Sequence, residues 1–313
     1  MTQTATASTK IAARATTVPC LFCGGRSRHA FRARDRNREL TNERFAYARC
    51  KVCGTVFMVA PPADLGRYYE GGYYQLGAGG EPLWRDEPAR IAAASFRVEL
   101  LRRHVSPGRL IEIGSGTGAF ACASQAAGFE VSAIEMSEDC CRYLNQQDGI
   151  TAICTDRPLD ALSALSPAVA VAMWHVLEHL PNPSEMLGRA AEKLEPGGVL
   201  AIGVPNPRSI QFRLLGRRWP HLDAPRHLCL IPPDALVRKG EELGLRCVAM
   251  TTNDPDGLEC NLFGWTGAVR RRPARGPSWF SGQIGHAICV ALGRLERTGH
   301  RGAAITLMMR KQP

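Results

Sequence analysis

The stretch Arg109-Leu-Ile-Glu-Ile-Gly-Ser-Gly-Thr-Gly-Ala-Phe120 decides the fold of this chain. An apolar run ends at Ile113, a loop of small residues follows, and an alanine-rich segment begins after the loop. This order predicts a β-strand, a glycine turn and the N-terminus of an α-helix. Because Gly114, Gly116 and Gly118 carry no Cβ, the backbone can bend sharply and place its amides against a ligand. The stretch therefore predicts a site for a nucleotide-like cofactor.

A second predicted strand, from Phe129 to Ile134, ends in the acidic residue Glu135. In dinucleotide-type folds an acid at this place, roughly 20 residues after the glycine loop, binds the two hydroxyls of a ribose. The glycine loop alone is a weak motif, since such loops also occur where no ligand binds. The loop and the acid together indicate a cofactor that carries a ribose.

The segment Glu112-Ile-Gly-Ser-Gly-Thr-Gly118, with Glu135, resembles motifs I and II of class I S-adenosylmethionine-dependent methyltransferases. An NAD enzyme of this layout more often shows Gly-x-Gly-x-x-Gly, whereas here the third glycine comes one position early. The resemblance covers most of residues 100–313. It implies an α/β fold with a doubly wound, seven-stranded sheet whose last strand is antiparallel. It also implies that S-adenosyl-L-methionine contacts Glu112, Gly114, Ser115, Gly116, Gly118, Glu135, Met136, Asp156 and Trp174.

The other strands of the predicted sheet span residues 150–154, 168–173, 199–204, 245–251 and 303–309. Asp156 follows the third strand. The resemblance implies that an acid here accepts a hydrogen bond from the adenine amino group, although a helix-entry role for Asp156 stays open. Ligands of open parallel sheets bind beyond the carboxyl ends of the strands, so these ends should line the cofactor crevice.

Two Cys-x-x-Cys pairs lie near the N-terminus, Cys20 with Cys23 and Cys50 with Cys53, and a glycine follows each pair. Two such turns present four thiolates at the spacing that a tetrahedral structural Zn²⁺ requires. Disulfide pairing is the competing interpretation, but the other cysteines are scattered, as expected of a reducing compartment. We therefore expect a cytoplasmic protein with a small zinc-ribbon module over residues 18–60. Four ligands complete the zinc shell, so the metal should fold the module rather than take part in chemistry.

The regions around the zinc ribbon are predicted from composition. Residues 1–17 should form a disordered tail, and residues 61–104 a linker and helical lid before a methyltransferase domain over residues 105–313. The linker contains Tyr73 and Tyr74. A zinc ribbon, paired tyrosines and a methyltransferase core together resemble bacterial enzymes that modify sugars, polysaccharide precursors and other secondary metabolites. The resemblance implies that Tyr73 and Tyr74 contact the substrate, and packing between the two modules is the alternative.

The end of the fourth strand carries His175, Glu178 and His179. The pattern His-x-x-Glu-His also occurs in inverted zinc proteases, but Pro181 and Pro183 end the turn, and that interpretation is excluded. The segment resembles the fourth motif of methyltransferases that O-methylate quinone precursors, in which Glu-x-x-Glu-His holds a divalent metal; here His175 replaces the first Glu. We expect structural support or cofactor packing from Glu178 and His179, with His179 also a substrate candidate, and a second metal stays open. His175 is the candidate general base, because a neutral imidazole titrates near working pH.

Residues 205–232 form an insertion that we predict to be a substrate lid, since long loops in compact domains are usually functional or disordered. The string from Trp219 to Leu228 resembles a segment of the same zinc-ribbon methyltransferases. Arginine pairs well with phosphate and carboxylate groups, so Arg226 and His227 are predicted to bind substrate. The alternative is that Asp223 and Arg226 form a salt bridge that only holds the lid together.

A second insertion, over residues 264–300, combines a basic cluster with a predicted amphipathic helix from Trp279 to Leu295. Packing on the core or on a dimer partner is the favoured interpretation of this helix. Contact with a membrane surface is the alternative, and in that case the substrate would be lipid-linked. The sequence has no run of 18 apolar residues, so we expect no transmembrane span.

These observations predict S-adenosylmethionine-dependent methyl transfer to an oxygen, nitrogen or carbon of a small molecule, which the basic charge of +10 allows to be anionic. An RNA methyltransferase that uses the zinc ribbon and the arginine clusters is one alternative. We do not expect a nucleic-acid partner, because the zinc module lacks an interleaved basic and aromatic surface. A scaffold protein that binds the cofactor without catalysis is the other alternative, and the intact cofactor motifs oppose it.

Overall fold

The structure, a computed structural model, describes residues 18–69, 88–270 and 279–312. The tail predicted for residues 1–17 lies outside the described residues, as do Tyr73, Tyr74 and the arginines at positions 271, 272 and 275.

The strands of the described chain form two sheets. In chain order they are β1 Ser27–Ala33, β2 Phe45–Cys50, β3 Val56–Met58, β4 Arg109–Ile113, β5 Glu130–Glu135, β6 Ile150–Cys154, β7 Ala168–Trp174, β8 Leu194–Pro205, β9 Cys229–Leu230, β10 Leu245–Thr251 and β11 Ala304–Lys311. The large sheet has seven strands in the order β10-β11-β8-β7-β4-β5-β6. Its strands are parallel except β11, which runs antiparallel to both neighbours. The predicted fold class is confirmed.

Helices cover both faces of the large sheet. The described α-helices are α1 Pro88–Arg102, α2 Ala119–Ala126, α3 Glu138–Leu144, α4 Pro158–Ala164, α5 Pro183–Lys193, α6 Ile210–Leu215, α7 Pro233–Glu242, α8 Pro255–Val269 and α9 Trp279–Arg297. Side chains of a strand alternate between faces. In β7, Val171 and Met173 belong to the core that includes Leu187 of α5. Ala170 and Ala172 belong to the core that includes Phe120 of α2. Burial on both faces accounts for the nearly continuous apolar sequence of this strand.

The small sheet joins the zinc module to the first insertion. It has the order β1-β2-β3-β9, and β9 comes from the segment predicted to be a lid. Cys229 and Leu230 of β9 pair with Phe57 and Val56 of β3. Trp219, which is only 1% exposed, packs in one cluster with residues of β2 and β3. The insertion is therefore built into the small sheet, and its role as a substrate lid stays a prediction.

Helix α9 packs along α8 through small residues. A Cβ added at Gly285 would lie 2.5 Å from the Cα of Thr266, so only glycine allows this close approach. The opposite side of α9 exposes the apolar side chains of Trp279, Phe280 and Val290. Within the described ranges, no helix combines the length and the apolar character needed to cross a bilayer. Contact of α9 with a membrane surface stays a prediction.

Candidate functional site

The carboxyl ends of β4, β5 and β7 meet at one edge of the large sheet and form the rim of a crevice. Ile113 at the end of β4 pairs with Ile134 of β5 and with Met173 of β7. The residues that follow, Gly114, Glu135 and Trp174, are thereby brought side by side. The structure thus assembles the predicted cofactor residues of three separate segments at the place where open parallel sheets bind ligands.

The glycine loop needs the backbone freedom of glycine. Gly114, Gly116 and Gly118 have φ angles of 71°, 52° and 84°, which side chains rarely allow. A Cβ at Gly114 would collide with Val176, and one at Gly118 would lie 2.5 Å from Leu144 Cδ2. A Cβ at Gly116 would meet nothing within 4 Å. Close packing therefore fixes the first and third glycines, whereas the middle glycine borders open space.

Glu135 ties the glycine loop to the end of β5. Its Oε2 accepts a hydrogen bond from the Gly116 amide at 2.7 Å, and its Oε1 accepts from Met136 and Ser137 at 2.8 Å. An ionised carboxylate has about four acceptor positions. Glu135 therefore keeps capacity for a hydroxyl donor while it holds the loop in place, as a ribose-binding acid requires.

Polar atoms without partners surround the crevice. In the described part of the chain, Glu112 Oε2 and Trp174 Nε1 are buried without a hydrogen bond. Burial raises the pKa of Glu112 to about 8, although the positive charge of Arg97 acts in the opposite direction. Buried polar groups in proteins are normally satisfied. An acceptor and a donor left open beside the glycine loop fit a site that is completed by a polar, cationic cofactor.

The other predicted cofactor residues occupy different parts of the same rim. Ser115 is buried, and its hydroxyl donates to the Glu112 carbonyl oxygen at 3.4 Å. Met136 is 46% exposed. Asp156 is exposed two residues beyond β6, where the Thr155 amide donates to the Glu135 carbonyl oxygen. The structure thus brings Asp156 to the strand end next to Glu135, and its contact with adenine stays a prediction.

His175, at the end of β7, lies between two carboxylates. Its Nε2 is 2.9 Å from Asp256 Oδ2, and its Nδ1 is 3.3 Å from Glu178 Oε1. Burial opposes protonation, but hydrogen bonds to the two acids and their charges outweigh it and raise the pKa of His175 to about 10. Both ring nitrogens then carry protons and donate. This geometry disfavours the predicted base role, because an imidazolium has no lone pair to accept a proton.

Arg97, Asp254 and Asp256 belong to the site but were not predicted from the sequence. Arg97 Nε is 2.6 Å from Asp254 Oδ2, and its Nη2 is 2.8 Å from Asp256 Oδ2. The Arg97 guanidinium also lies 4.3 Å from the ring centroid of Trp174. The available signal was the sequence Asp-Pro-Asp just after β10, since the carboxyl end of β10 lies at the same edge of the sheet.

A second cluster next to His175 has the donor set of a metal site. Glu178, His179 and His227 each offer one ligand atom, and these atoms lie within 4.8 Å of one another. His179 Nδ1 is 2.8 Å from the Tyr69 hydroxyl and 3.1 Å from the Arg226 carbonyl oxygen, and His227 Nδ1 is 2.8 Å from the His221 carbonyl oxygen. Because a carbonyl only accepts, the hydrogen bond of His227 Nδ1 to His221 leaves Nε2 of a neutral His227 as the lone-pair nitrogen, 4.0 Å from Glu178 Oε1, as is typical of metal-binding histidines. Glu178 Oε2 is buried without a partner among the described residues. The cluster can therefore hold a divalent cation.

Arg226 points into the insertion. Its Nε is 2.8 Å from Asp223 Oδ2, and only 3% of the residue is exposed. Asp223 also accepts a hydrogen bond from Asn37 Nδ2 of the zinc module. The geometry favours the alternative in which this ion pair holds the insertion together. A substrate contact of Arg226 stays a prediction that its burial opposes.

The four cysteines of the zinc module converge. Cys20 Sγ is 3.7 Å from Cys53 Sγ, and Cys23 Sγ is 3.5 Å from Cys50 Sγ. Zinc bound to four thiolates at about 2.3 Å leaves sulfur atoms roughly 3.8 Å apart. The amides of Phe22 and Val52 donate to the sulfurs of Cys20 and Cys50. The residues present therefore fit a structural Zn²⁺.

Comparison with known proteins identifies the family of this chain. Residues 83–250, more than half of the chain, match the family model of a methyltransferase domain. A ubiquinone biosynthesis O-methyltransferase of Xylella fastidiosa is 28% identical over 139 residues, which cover 43% of this chain and 54% of the relative. A protein of the same name from Paramagnetospirillum magneticum is 32% identical over 132 residues, covering 38% and 52%. The chain thus spans about half the length of the curated relatives it matches. A crystal structure of a SAM-dependent methyltransferase from Archaeoglobus fulgidus has a TM-score of 0.49 at 17% identity and covers 79% of this chain and 100% of that chain.

Proposed function

This chain belongs to the methyltransferase-domain family, and we propose that it transfers the sulfonium methyl group of S-adenosylmethionine to a small-molecule acceptor. The observation that carries the proposal is the glycine loop held by Glu135, with open space at Gly116. S-adenosylmethionine would supply a methyl group on a cationic sulfur that is already a good leaving group. The protein must mainly hold cofactor and acceptor in line.

The residues of the crevice divide this task. Glu135 would accept hydrogen bonds from the ribose hydroxyls, and the backbone at Gly116 would lie against the cofactor. Glu112 and Trp174 offer the buried acceptor and donor that stay open among the described residues. Cations favour the ionised form of a nearby acid, so the positive charge of the cofactor would stabilise an ionised Glu112.

His175 is better suited to positioning than to proton transfer. Its two hydrogen bonds connect Glu178 of the candidate metal cluster with Asp256, which also binds Arg97. Hydrogen bonds and charge from His175, together with Arg97, hold the pKa of Asp256 well below its usual range although burial acts in the opposite direction. We infer that His175 keeps this acidic wall of the crevice in one arrangement. A base role for His175 would require that it first lose a proton.

The relatives named ubiquinone biosynthesis O-methyltransferases support oxygen as the methylated atom. A small acceptor is also more consistent with the zinc module than RNA is. Phe45, Tyr47 and Phe57 are buried in the small sheet, so these aromatic rings cannot stack on nucleobases. A lipid-linked acceptor and contact of α9 with a membrane remain predictions.

Calorimetric titration of S-adenosylmethionine into the zinc-loaded protein tests the proposal. Wild type should bind, Glu135→Ala should bind at least tenfold more weakly, and the control Glu138→Ala should bind like wild type. Glu138 is an exposed acid on α3, only three residues away. Thermal melts of all three proteins separate lost affinity from lost fold. A folded wild type that does not bind, or a Glu135→Ala variant with unchanged affinity, would contradict the proposed site. Release of S-adenosylhomocysteine with an acceptor then distinguishes an enzyme from a scaffold.

A further inference from the structure

A cavity of about 670 Å³ opens between the zinc module and the segments that flank β8 and β11. Arginines from four parts of the chain line it: Arg49 of β2, Arg208 after β8, Arg213 of α6 and Arg301 before β11. We name this cavity the arginine groove. None of its lining residues was predicted to bind a ligand, and none takes part in the crevice described above.

The arginine groove lies at the same edge of the large sheet as the crevice. Pro205, the last residue of β8, pairs with Ala304, the first residue of β11, and the groove residues lie just beyond this pair. Strand β8 is parallel to β7 and β4, so its carboxyl end lies at the crevice edge. Only β7 separates β8 from β4. With neighbouring strands about 4.8 Å apart, the carboxyl ends of β8 and β4 are roughly 10 Å apart.

Positive charge in the groove is not balanced by acids. No lining residue is acidic. Arg208 pairs with Asp234, Nη2 to Oδ2 at 3.3 Å, but within the described residues Arg49, Arg213 and Arg301 form no salt bridge. Arg49 is half-buried, and burial together with the charges of Arg208 and Arg28 lowers the pKa of its guanidinium. Arg49 is therefore a partly desolvated cation beside other guanidinium groups, an arrangement that a bound anion would stabilise.

Aromatic side chains form a wall of the same cavity. Phe31 and Phe212 line the groove with ring centroids 6.5 Å apart. The Arg49 guanidinium lies 5.7 Å from the Phe212 centroid, within reach of a cation–π interaction. Small-molecule sites typically combine a cavity of roughly 300–1,000 Å³, apolar walls and a few placed polar groups. The groove has these features, and its polar groups are guanidinium ions.

We propose that the arginine groove binds the phosphate or diphosphate group of an organic methyl acceptor, a role that rests on the function proposed above. Guanidinium groups pair bidentately with phosphate oxygens, and a diphosphate can engage several of the four arginines together. The remainder of the acceptor would then extend along this edge of the sheet toward the methyl-transfer crevice.

In this proposal the groove arginines, rather than Arg226, bind the anionic group of the substrate. Arg226 is neutralised by Asp223 inside the insertion, whereas Arg213, from the same insertion, is exposed at the groove. RNA fits the groove less well than a small molecule does. Phe212 is only 4% exposed and cannot act as a stacking platform for bases.

Titration of inorganic pyrophosphate into the full-length, zinc-loaded protein tests this assignment, with S-adenosylmethionine titrated into the same samples. The test variant is Arg213→Ala combined with Arg301→Ala, because both side chains are exposed and their loss should not unfold the protein. The control is Arg103→Ala, an exposed arginine directly after α1 that does not line the groove. Wild type and control should bind pyrophosphate equally, and the double variant at least tenfold more weakly. All three proteins should bind S-adenosylmethionine alike.

Other results would overturn the assignment. Wild type that does not bind pyrophosphate, or a double variant with wild-type affinity, would remove the groove as an anion site. Equal weakening in Arg103→Ala would show nonspecific attraction to a basic surface. If an oligouridine bound more tightly than pyrophosphate, and if its affinity fell with salt as expected for the release of several counterions, the groove would be assigned to RNA. Intact pyrophosphate binding without S-adenosylmethionine binding would instead refute the proposed function and, with it, the acceptor assignment.

Discussion

At the scale of single residues, His175 shows how its neighbours decide the chemistry of a side chain. An isolated histidine titrates near pH 6.5, and this value suggested a general base. In the structure Glu178 and Asp256 accept hydrogen bonds from the two ring nitrogens, and the pKa rises to about 10. The backbone at His175 also has a φ of 56°, which is uncommon for a residue other than glycine. Neither feature is visible in the local sequence, because Asp256 is 81 residues away.

The raised pKa of His175 predicts a specific pH dependence of stability. The folded state keeps a proton that the unfolded state releases, so this contribution is complete below about pH 6.5. It is lost as the pH rises through about 10. The free energy of unfolding, measured with urea, should fall between pH 6 and 10 in wild type, and it should fall less in His175→Gln. The matched control is His286→Gln, because His286 is exposed on α9. The free energy of unfolding of this variant should fall with pH as it does in wild type. Parallel profiles for wild type and His175→Gln would contradict the paired imidazolium.

Gly116 gives a second prediction at this scale. Alanine at its φ of 52° should cost about 1–2 kcal/mol of stability. A similar cost is expected for Gly244→Ala, which also has a positive φ and open space. The two variants should differ in cofactor binding, because the new methyl group at position 116 enters the space we assign to S-adenosylmethionine. Calorimetry should show at least a tenfold loss of affinity for Gly116→Ala alone. Equal affinities in the two variants would show that the cofactor does not lie against Gly116.

At the scale of elements, the sequence predicts best where a signal is local. Strand β6 was predicted with the observed bounds, residues 150–154, and β4 follows the apolar run that stops at Gly114. Strand β8 was predicted to begin at residue 199 but begins at Leu194, because the chain stays extended through Pro196 and Leu194 pairs with Ala168. Short elements in the insertion were missed. Strand β9 has two residues, and its partner β3 lies about 170 positions earlier, so no local pattern marks it.

The shared small sheet predicts that zinc stabilises more than residues 18–60. Cys20, Cys53, Phe57 and Cys229 lie in one core with residues of the large sheet. After chelation, hydrogen exchange should accelerate in β2 and β3 and also in the insertion around β9, while β4 and β5 stay protected. Cys20→Ser should reproduce this pattern, and Cys154→Ser, an exposed cysteine outside the cluster, should not. Faster exchange confined to residues 18–60, after confirmed loss of metal, would show that β9 does not depend on the module.

At the scale of the whole molecule, contacts between segments far apart in the sequence join the zinc module to the insertion over residues 205–232. Asn37 of the zinc module binds Asp223 of the insertion, and the Tyr47 hydroxyl donates to the His227 carbonyl oxygen. These contacts place the module beside the candidate metal cluster, and Phe31 and Arg49 of the module line the arginine groove. The sequence predicted the seven-stranded sheet, the cofactor loop and the zinc-ribbon module, because glycine spacing and cysteine spacing have direct geometric consequences. It could not predict how the sheets join, since that depends on pairings across nearly 200 residues.

The central claim is that the crevice at the glycine loop is a cofactor site, and a crystal structure with S-adenosylhomocysteine tests it most directly. The account predicts ribose hydroxyls within hydrogen-bond distance of the Glu135 carboxylate, the ligand backbone against Gly116, and a polar group of the ligand near Glu112. A ligand bound elsewhere, or a Glu135 carboxylate that contacts only the amides of Gly116, Met136 and Ser137 when the crevice is filled, would contradict it.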